Sequence, residues 1–461
     1  LASENLITQS CFQDAAMPKY LAIADELAQH ILAGQLPTGE RLPPQRKLAQ
    51  RLGVTAGTVS HAYAMLEQRG LVTARVGDGT YVCAPAQAAS AADSATPLDL
   101  AHNVATPTDD GRALAEALQR VAADPQLIRQ VLSYQPETGH VRHRRVGAQW
   151  LKRFGFSGDA NRVMVTHGAQ HGLSCVLRTL ARPGDAVLTE SLSYPGLQAQ
   201  ARLMRLQLVG IEMDAEGLLP DALDRAARHI DTKLLFCSPS LHNPTNASMS
   251  LPRRVEIAEV ARRHNLLLIE DAVHAVAQAA PPPALSTLLA EQSFLLTSFS
   301  KVAGPGLRVG YIEAAPQWLS KLAASMRADC WMVAPLLPEI ASDWIESGVA
   351  EKLIAAQRVA IAERLAVALP LLQGLDYRSD PASPLIWLPL PEPLRAGQFS
   401  AALRQAGVLV RTADHFAVGR SPTPHAVRLS LNAAKSVAEI ASGVRTVLDV
   451  LQGAPAAPTD S

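Results

Sequence analysis

Apolar residues recur at helical spacing from 20 to 32 (Leu21, Ala24, Leu27, Ala28, Ile31), and Gly34 marks a stop. The same signals predict a second helix over about 44–52, ended by Gly53. A third starts at Thr55, a possible N-cap, and runs to 69 before Gly70. Two short strands, 71–75 and 80–83, join through Gly77-Asp78-Gly79. From 83 to 97 the chain reads CAPAQAASAADSATP, with almost no large apolar residue to bury, and is expected to be a linker. Beyond it the pattern alternates. Strands are predicted at 162–166, 186–190, 233–237, 266–270 and 294–298, with helices such as 169–180 and 252–264 between most of them. Apolar strands alternating with helices indicate an α/β fold with a mostly parallel sheet. After about Met332 the chain turns more helical, with a long amphipathic run over 349–369. Strands expected at 385–390 and 427–431 would complete a smaller α+β lobe. The expected plan is a tail over 1–16, a small helical unit over 17–84, a linker over 85–97 and a large unit over 98–461.

A chain of 461 residues exceeds one ordinary core, which agrees with two units. Forty-two basic residues balance 42 acidic ones, so net charge gives no general attraction to nucleic acid. The five cysteines are scattered without CxxC or metal spacing, which points to a reducing compartment and no metal. No run has the length of a membrane span and no signal peptide is visible. The expectation is a cytoplasmic protein with no membrane partner.

Helix, glycine turn, helix and hairpin is the plan of a winged helix-turn-helix, whose second motif helix enters the major groove N-terminus first. That end carries Thr55, Ala56, Gly57, Thr58, Ser60 and His61, small or hydrogen-bonding residues that let backbone approach bases and phosphates. Arg41, Arg46, Lys47 and Arg51 add local positive charge. The candidate DNA contacts are Arg46, Thr55, Thr58, Ser60, His61 and, in the hairpin, Gly79. The run LPPQRKLA over 42–49, Leu52-Gly53-Val54-Thr55, and GDGTYV over 77–82 resemble the GntR-type winged helix, which implies a double-stranded DNA operator. That family often has arginine where this chain has Ala56, so the operator sequence does not carry over.

In the large unit, Lys301 follows an apolar run and two hydroxyls, Ser298 and Ser300, and precedes Arg308. Buried lysines are expensive unless paired or chemically used. These parts suit an aldehyde cofactor carrying a phosphate: a Schiff base on Lys301, with the phosphate on Ser298, Ser300 and Arg308. Gly168-Ala169-Gln170 lies between a strand and a helix, where backbone N–H groups can meet a phosphate. Asp271, at a strand end, suits a protonated pyridine nitrogen or a plain helix N-cap. Asn243, in Asn-Pro-Thr, suits a ring hydroxyl or a turn. Tyr194 suits ring stacking or core packing, and Arg428 a carboxylate fork or an edge-strand surface.

Together, GAQ, SYPG, NPT, ED, SFSK with PGLRVGY, and a final RLS resemble the fold-type I aminotransferases over roughly 98–455. The resemblance implies pyridoxal 5′-phosphate bound through Lys301 as the catalytic lysine. It further implies Asp271 at the ring nitrogen, Asn243 at the ring hydroxyl, Tyr194 stacked on the ring, and Ala169, Gln170, Ser298, Ser300 and Arg308 at the phosphate. Arg428 would take a substrate carboxylate, and Tyr134 would cross a homodimer interface to the neighbour's phosphate. Two positions depart from that family. Val273 and His274 stand where a tyrosine is usual, so His274 either substitutes for it or the hydrogen bond is missing. Asn246 stands where glycine is usual.

A GntR-type winged helix linked to such a domain resembles the MocR subfamily of bacterial regulators. Three functions stay open: a regulator answering to the cofactor and a small amine or amino-acid effector, a regulator that is also a transaminase, and a regulator whose large domain has lost the cofactor.

Overall fold

The computed structural model describes residues 19–32, 35–36, 40–68, 71–75, 79–82, 97–106, 110–301, 304–419 and 423–453. The chain divides into two compact units, Leu1–Ala95 and Thr96–Ser461. Gly34, the hairpin turn at 76–78 and the expected linker up to residue 96 lie outside the described residues.

In the first unit, α1 (Lys19–Leu32), α2 (Gln45–Leu52) and α3 (Ala56–Gln68) precede β1 (Val72–Arg75) and β2 (Gly79–Val82), which pair antiparallel with Val72 opposite Val82. The helical periodicity translates directly into packing. Ile23, Leu27 and Ile31 of α1 meet Leu48 and Leu52 of α2 and Val59, Ala62 and Leu66 of α3 in one core. Gly53 adopts the left-handed conformation (φ 65°) that ends α2 and redirects the chain. Two residues later Thr55 Oγ1 accepts from the Thr58 N–H at 3.2 Å, the cap that starts α3. The buried Tyr63 hydroxyl donates to Pro43 O at 2.8 Å and ties α3 to the entry of α2.

The second unit is built on seven strands: β4 (Val163–Thr166), β5 (Ala186–Glu190), β6 (Gln207–Ile211), β7 (Leu234–Cys237), β8 (Leu267–Asp271), β9 (Ser293–Ser298) and β10 (Gly310–Ala314). Their order is β4-β10-β9-β8-β7-β5-β6, and β10 alone runs antiparallel to its neighbours. Strands β4, β5, β7 and β9 are buried along their whole length, which is why they read as mostly apolar runs. The sequence signals missed β6 and β10. Strand β6 has an exposed polar start at Gln207. Strand β10 begins with a glycine, a residue depleted in strands. Here Gly310 answers to crowding, since a Cβ would sit 2.5 Å from Thr297 O and 2.8 Å from the Gly168 backbone.

The smaller lobe contains β11 (Leu385–Pro389), β12 (Val408–Leu409), β13 (Arg411–Thr412) and β14 (Ala426–Ser430), with the long helix Val349–Leu371 and the last helix Val437–Gly453. β14 lies between β11 and β13 in an antiparallel sheet. The short strand β3 (Leu98–Asp99) pairs in parallel with β12, so the first strand of the second unit belongs to this lobe. Among the described residues no helix is long and apolar enough to cross a membrane, and no cluster of His, Cys, Asp and Glu could hold a metal. Cys175, Cys237 and Cys330 are free thiols.

Candidate functional site

A cavity of about 340 Å³ opens at the carboxyl ends of the central strands, the usual ligand position in open α/β sheets. Ala169, Gln170, Tyr194, Asn243, Asp271, His274, Ser298, Ser300, Lys301, Arg308 and Arg428 all line it, although they come from segments scattered over some 260 positions of the chain. Tyr134 does not. It is 82% exposed, with its ring 6.3 Å from that of Trp331.

One end of the cavity is a cradle for an anion. Ser298 Oγ and Ser300 Oγ lie 2.9 Å apart, and Arg308 Nη1 donates to Ser300 Oγ at 3.0 Å. Arg308 Nη2 donates to His167 O at 3.2 Å. The helix Gly168–Leu180 starts beside them, so its first N–H groups face the same space. Gly168 has φ 76°, and a Cβ there would lie 2.8 Å from Arg308 Nη2. Arg308 itself has φ 49°, a left-handed conformation uncommon for a non-glycine residue, of the kind that clusters at ligand clamps. Gln170 Nε2 donates to Gly196 O at 3.1 Å, and only a glycine fits at 196, because a Cβ would lie 2.2 Å from the Tyr194 ring.

Asp271 and Lys301 form the titratable centre. Asp271 ends β8, and burial pushes its carboxyl up to about 6. Its Oδ1 accepts from the Val273 N–H at 3.0 Å within a turn; it caps no helix, since the 3₁₀ helix that follows, Ala275–Ala277, has His274 at its N-cap. Lys301 does not end the strand, as the sequence pattern suggested. It closes a short 3₁₀ turn, Phe299–Lys301, one step beyond β9. That turn is anchored by Phe299, whose ring stacks on Trp150 at 4.6 Å. Burial, then the positive charge of Arg428, lowers the Lys301 ammonium to about 8, with Asp271 opposing. About a tenth of the amine is therefore neutral and nucleophilic at pH 7, far more than for an ordinary lysine. Its Nζ donates to Asn103 O.

At the other end stands Arg428, 4% exposed on β14. That strand is central in its sheet, which removes the edge-strand alternative. Its Nη1 donates to Asn243 Oδ1 at 2.9 Å and its Nη2 to Ala101 O, while the buried Nε has no partner. Burial, reinforced by Arg411, lowers its pKa to about 10. His274 is held neutral: burial, then Lys301 and Arg428, pushes it down to about 3. Its Nε2 faces Asn103 Nδ2 at 3.4 Å. The Asn246 departure also finds its reason. Asn246 has φ 58°, a conformation that glycine or asparagine adopts readily, and its amide donates to Leu385 O at 2.6 Å and accepts from Ser383 Oγ at 2.6 Å.

Sequence reasoning missed Ala101, His102, Asn103, Val104, Arg411, His415 and Phe416, all in the cavity wall. Residues 101–104 follow the expected linker and carry no periodicity. The signal available for Arg411 was a charged residue directly after the apolar run Val408-Leu409-Val410.

In the first unit, Arg46, Thr55, Ser60 and His61 are exposed and Thr58 is half-buried. Thr55 and Thr58 share a hydroxyl contact of 2.8 Å, and the His61 ring stacks on Tyr20 at 5.0 Å. Gly79 has φ 136°, and a Cβ there would lie 2.6 Å from Arg41 Nε.

Residues 96–447 match the family model for aminotransferase class I and II, and residues 19–82 that for bacterial regulatory proteins of the gntR family. The uncharacterized HTH-type transcriptional regulator YdeF of Bacillus subtilis is 30% identical, over 95% of this chain and 96% of its own. The probable rhizopine catabolism regulatory protein MocR of Rhizobium meliloti is 26% identical, over 66% of this chain and 67% of its own. The kynurenine aminotransferase of Pyrococcus horikoshii, solved in complex with PMP, superposes with a TM-score of 0.73 at 21% identity, covering 79% of this chain and 92% of that one. At that identity the likeness establishes the fold.

Proposed function

The chain belongs to the MocR family of GntR-type transcriptional regulators, and from that premise we propose that pyridoxal 5′-phosphate and a small amine or amino-acid effector, held around Lys301, control how it binds its operator. The observation that carries this reading is the convergence in one cavity of a depressed lysine, a buried carboxylate, an anion cradle and an inward arginine. The residues fit the cofactor. The cradle leaves the donors of Arg308, Ser298 and Ser300 without an anion among the described residues, and Gln170 Oε1 and Arg428 Nε are buried without partners.

When bound, the cofactor supplies a reversible, amine-selective covalent link. The chain's own residues do the rest. Lys301 offers the amine. Ser298, Ser300, Arg308 and the N–H groups of Ala169 and Gln170 would hold the phosphate. Asp271 would hold a proton on the ring nitrogen, Asn243 would pair with the ring hydroxyl, and Tyr194 would cover the ring. His274, held neutral, would serve as a hydrogen-bonding partner for the ring. Arg428 receives the effector carboxylate. Arg46, Thr55, Thr58, Ser60, His61 and Gly79 meet double-stranded DNA, and a cytoplasmic homodimer brings Tyr134 to the neighbouring site. Exposure of Tyr134 favours this last point, since an aromatic ring left in water gains by burial in a partner.

The purified full chain, mixed with pyridoxal phosphate, is expected to develop a visible absorbance band that amines shift, and its footprint on operator DNA is expected to change with the same amines. A chain that acquires no band, or whose footprint ignores the cofactor, overturns the reading. Steady release of a keto acid would add a catalytic role, which the same Lys301 and Asp271 could serve.

A further inference from the structure

Arg411 and Arg428 face each other across adjacent antiparallel strands, as direct partners in the register of β13 and β14. Directly opposed residues share one face of a sheet and hold their side chains close, so like charges there are destabilising unless something neutral or negative intervenes. Both side chains line the cavity. Neither has a carboxylate within ion-pair distance among the described residues; the negative charge that acts on Arg428 is that of Asp99, itself paired with His102. Arg411 Nη2 reaches only His102 Nε2, at 3.5 Å, and His102 is itself turned to Asp99 through Nδ1. Buried Arg428 keeps one N–H without a partner. His415 stands on the same wall, beside both arginines, and their charge helps keep it neutral.

The other charged groups of the cavity are already engaged under the reading above. Arg308 belongs to the phosphate, Asp271 to the ring nitrogen and Lys301 to the aldehyde carbon. Arg428 accounts for one ligand carboxylate. A second guanidinium on the same face, with two imidazoles at its rim, then has no anion of its own.

We infer that the effector is a dianionic amino compound, an amino acid whose side chain carries a second acidic group, with one acid on Arg428 and the other on Arg411. This rests on the proposed amine-sensing function and makes Arg411 the residue that selects the side chain. A neutral side chain would leave the Arg411–Arg428 repulsion in place, whereas an acid would relieve it while forming a charge-assisted hydrogen bond.

Calorimetric titration of the full chain loaded with pyridoxal phosphate tests this, using L-aspartate, L-glutamate and L-2-aminoadipate against L-asparagine, L-glutamine and L-norleucine. At least one acidic member is expected to bind about tenfold or more tightly than its uncharged counterpart. Arg411→Gln is expected to bring the two within about twofold, and Arg411→Lys to restore part of the preference. Circular dichroism reports whether each variant is folded. If no acidic amino acid outbinds its counterpart, or if Arg411→Gln keeps the preference, the inference is overturned. The parent reading is separated by a second arm on the cofactor-free chain, with glutarate against butyrate. Arg411-dependent preference for glutarate, with no amine able to shift the cofactor band, would keep the arginine pair and sink the amine sensor. A band that shifts equally with acidic and neutral amino acids would do the reverse.

Discussion

Asn243 Oδ1 accepts from Arg428 Nη1 at 2.9 Å, which joins the loop after β7 to the central strand of the smaller lobe. The contact matters because Arg428 is buried and its only other hydrogen-bond acceptor among the described residues is the Ala101 carbonyl, with the Phe416 ring 5.2 Å from the guanidinium and the Asp99 charge acting on it. Asn243→Ala is expected to destabilise the cofactor-free chain by about 1.5–3 kcal/mol, the range for a hydrogen bond to a charged group. The urea midpoint measures this. An unchanged midpoint would mean that the guanidinium exchanges the amide for water without loss.

Lys301→Ala removes the only lysine lining the cavity among the described residues. Borohydride treatment of the variant with pyridoxal phosphate is expected to leave no label on the chain and no visible band. Peptide mapping that finds the label on another lysine at wild-type yield would reassign the site.

The Lys301 ammonium is depressed to about 8, so the nucleophilic amine grows in as pH rises to that value. Covalent capture of pyridoxal phosphate, followed by stopped-flow absorbance, is expected to accelerate roughly thirtyfold from about pH 6.5 to a plateau above 9. A flat profile over that range would contradict the depressed amine.

Asp271 is raised from 3.8 to about 6 by burial. Between those values the folded cofactor-free chain holds a proton that the unfolded chain has released. Stability contributed by the protonated form is therefore lost as pH climbs from about 4 to 6, by up to roughly 3 kcal/mol, and changes no further above that. Asp271→Asn carries no such group. Relative to the wild type it is expected to gain stability across the same window in thermal melts, yet to bind pyridoxal phosphate much more weakly. Parallel melting curves for the two proteins would remove Asp271 from the titration.

On the first unit, Thr58 sits one turn into α3 beside the exposed Thr55. Thr58→Glu is expected to abolish operator footprinting, because a carboxylate there meets the phosphate backbone, while the cofactor spectrum stays intact. Wild-type binding should fall steeply with salt. A retained footprint would move the reading surface to another face.

Local chemistry in the chain already determined much of this protein. Helix periodicity, the Gly53 stop and the Thr55 cap delivered the first unit almost residue by residue, since each depends only on neighbours in sequence. The strands buried on both faces were legible for a similar reason: a continuous apolar run has few other uses. The motif residues around Lys301 could be named because each sits at a strand end or turn with its own signature. Tertiary structure decided the rest. Residues 101–104 gained their place over the cavity only through strand pairing with β12, far along the chain. The opposition of Arg411 and Arg428 depends on strand register, which no local pattern encodes. The protonation of Lys301, Asp271 and His274 likewise follows first from burial and from charges brought together by the fold, which no local pattern encodes.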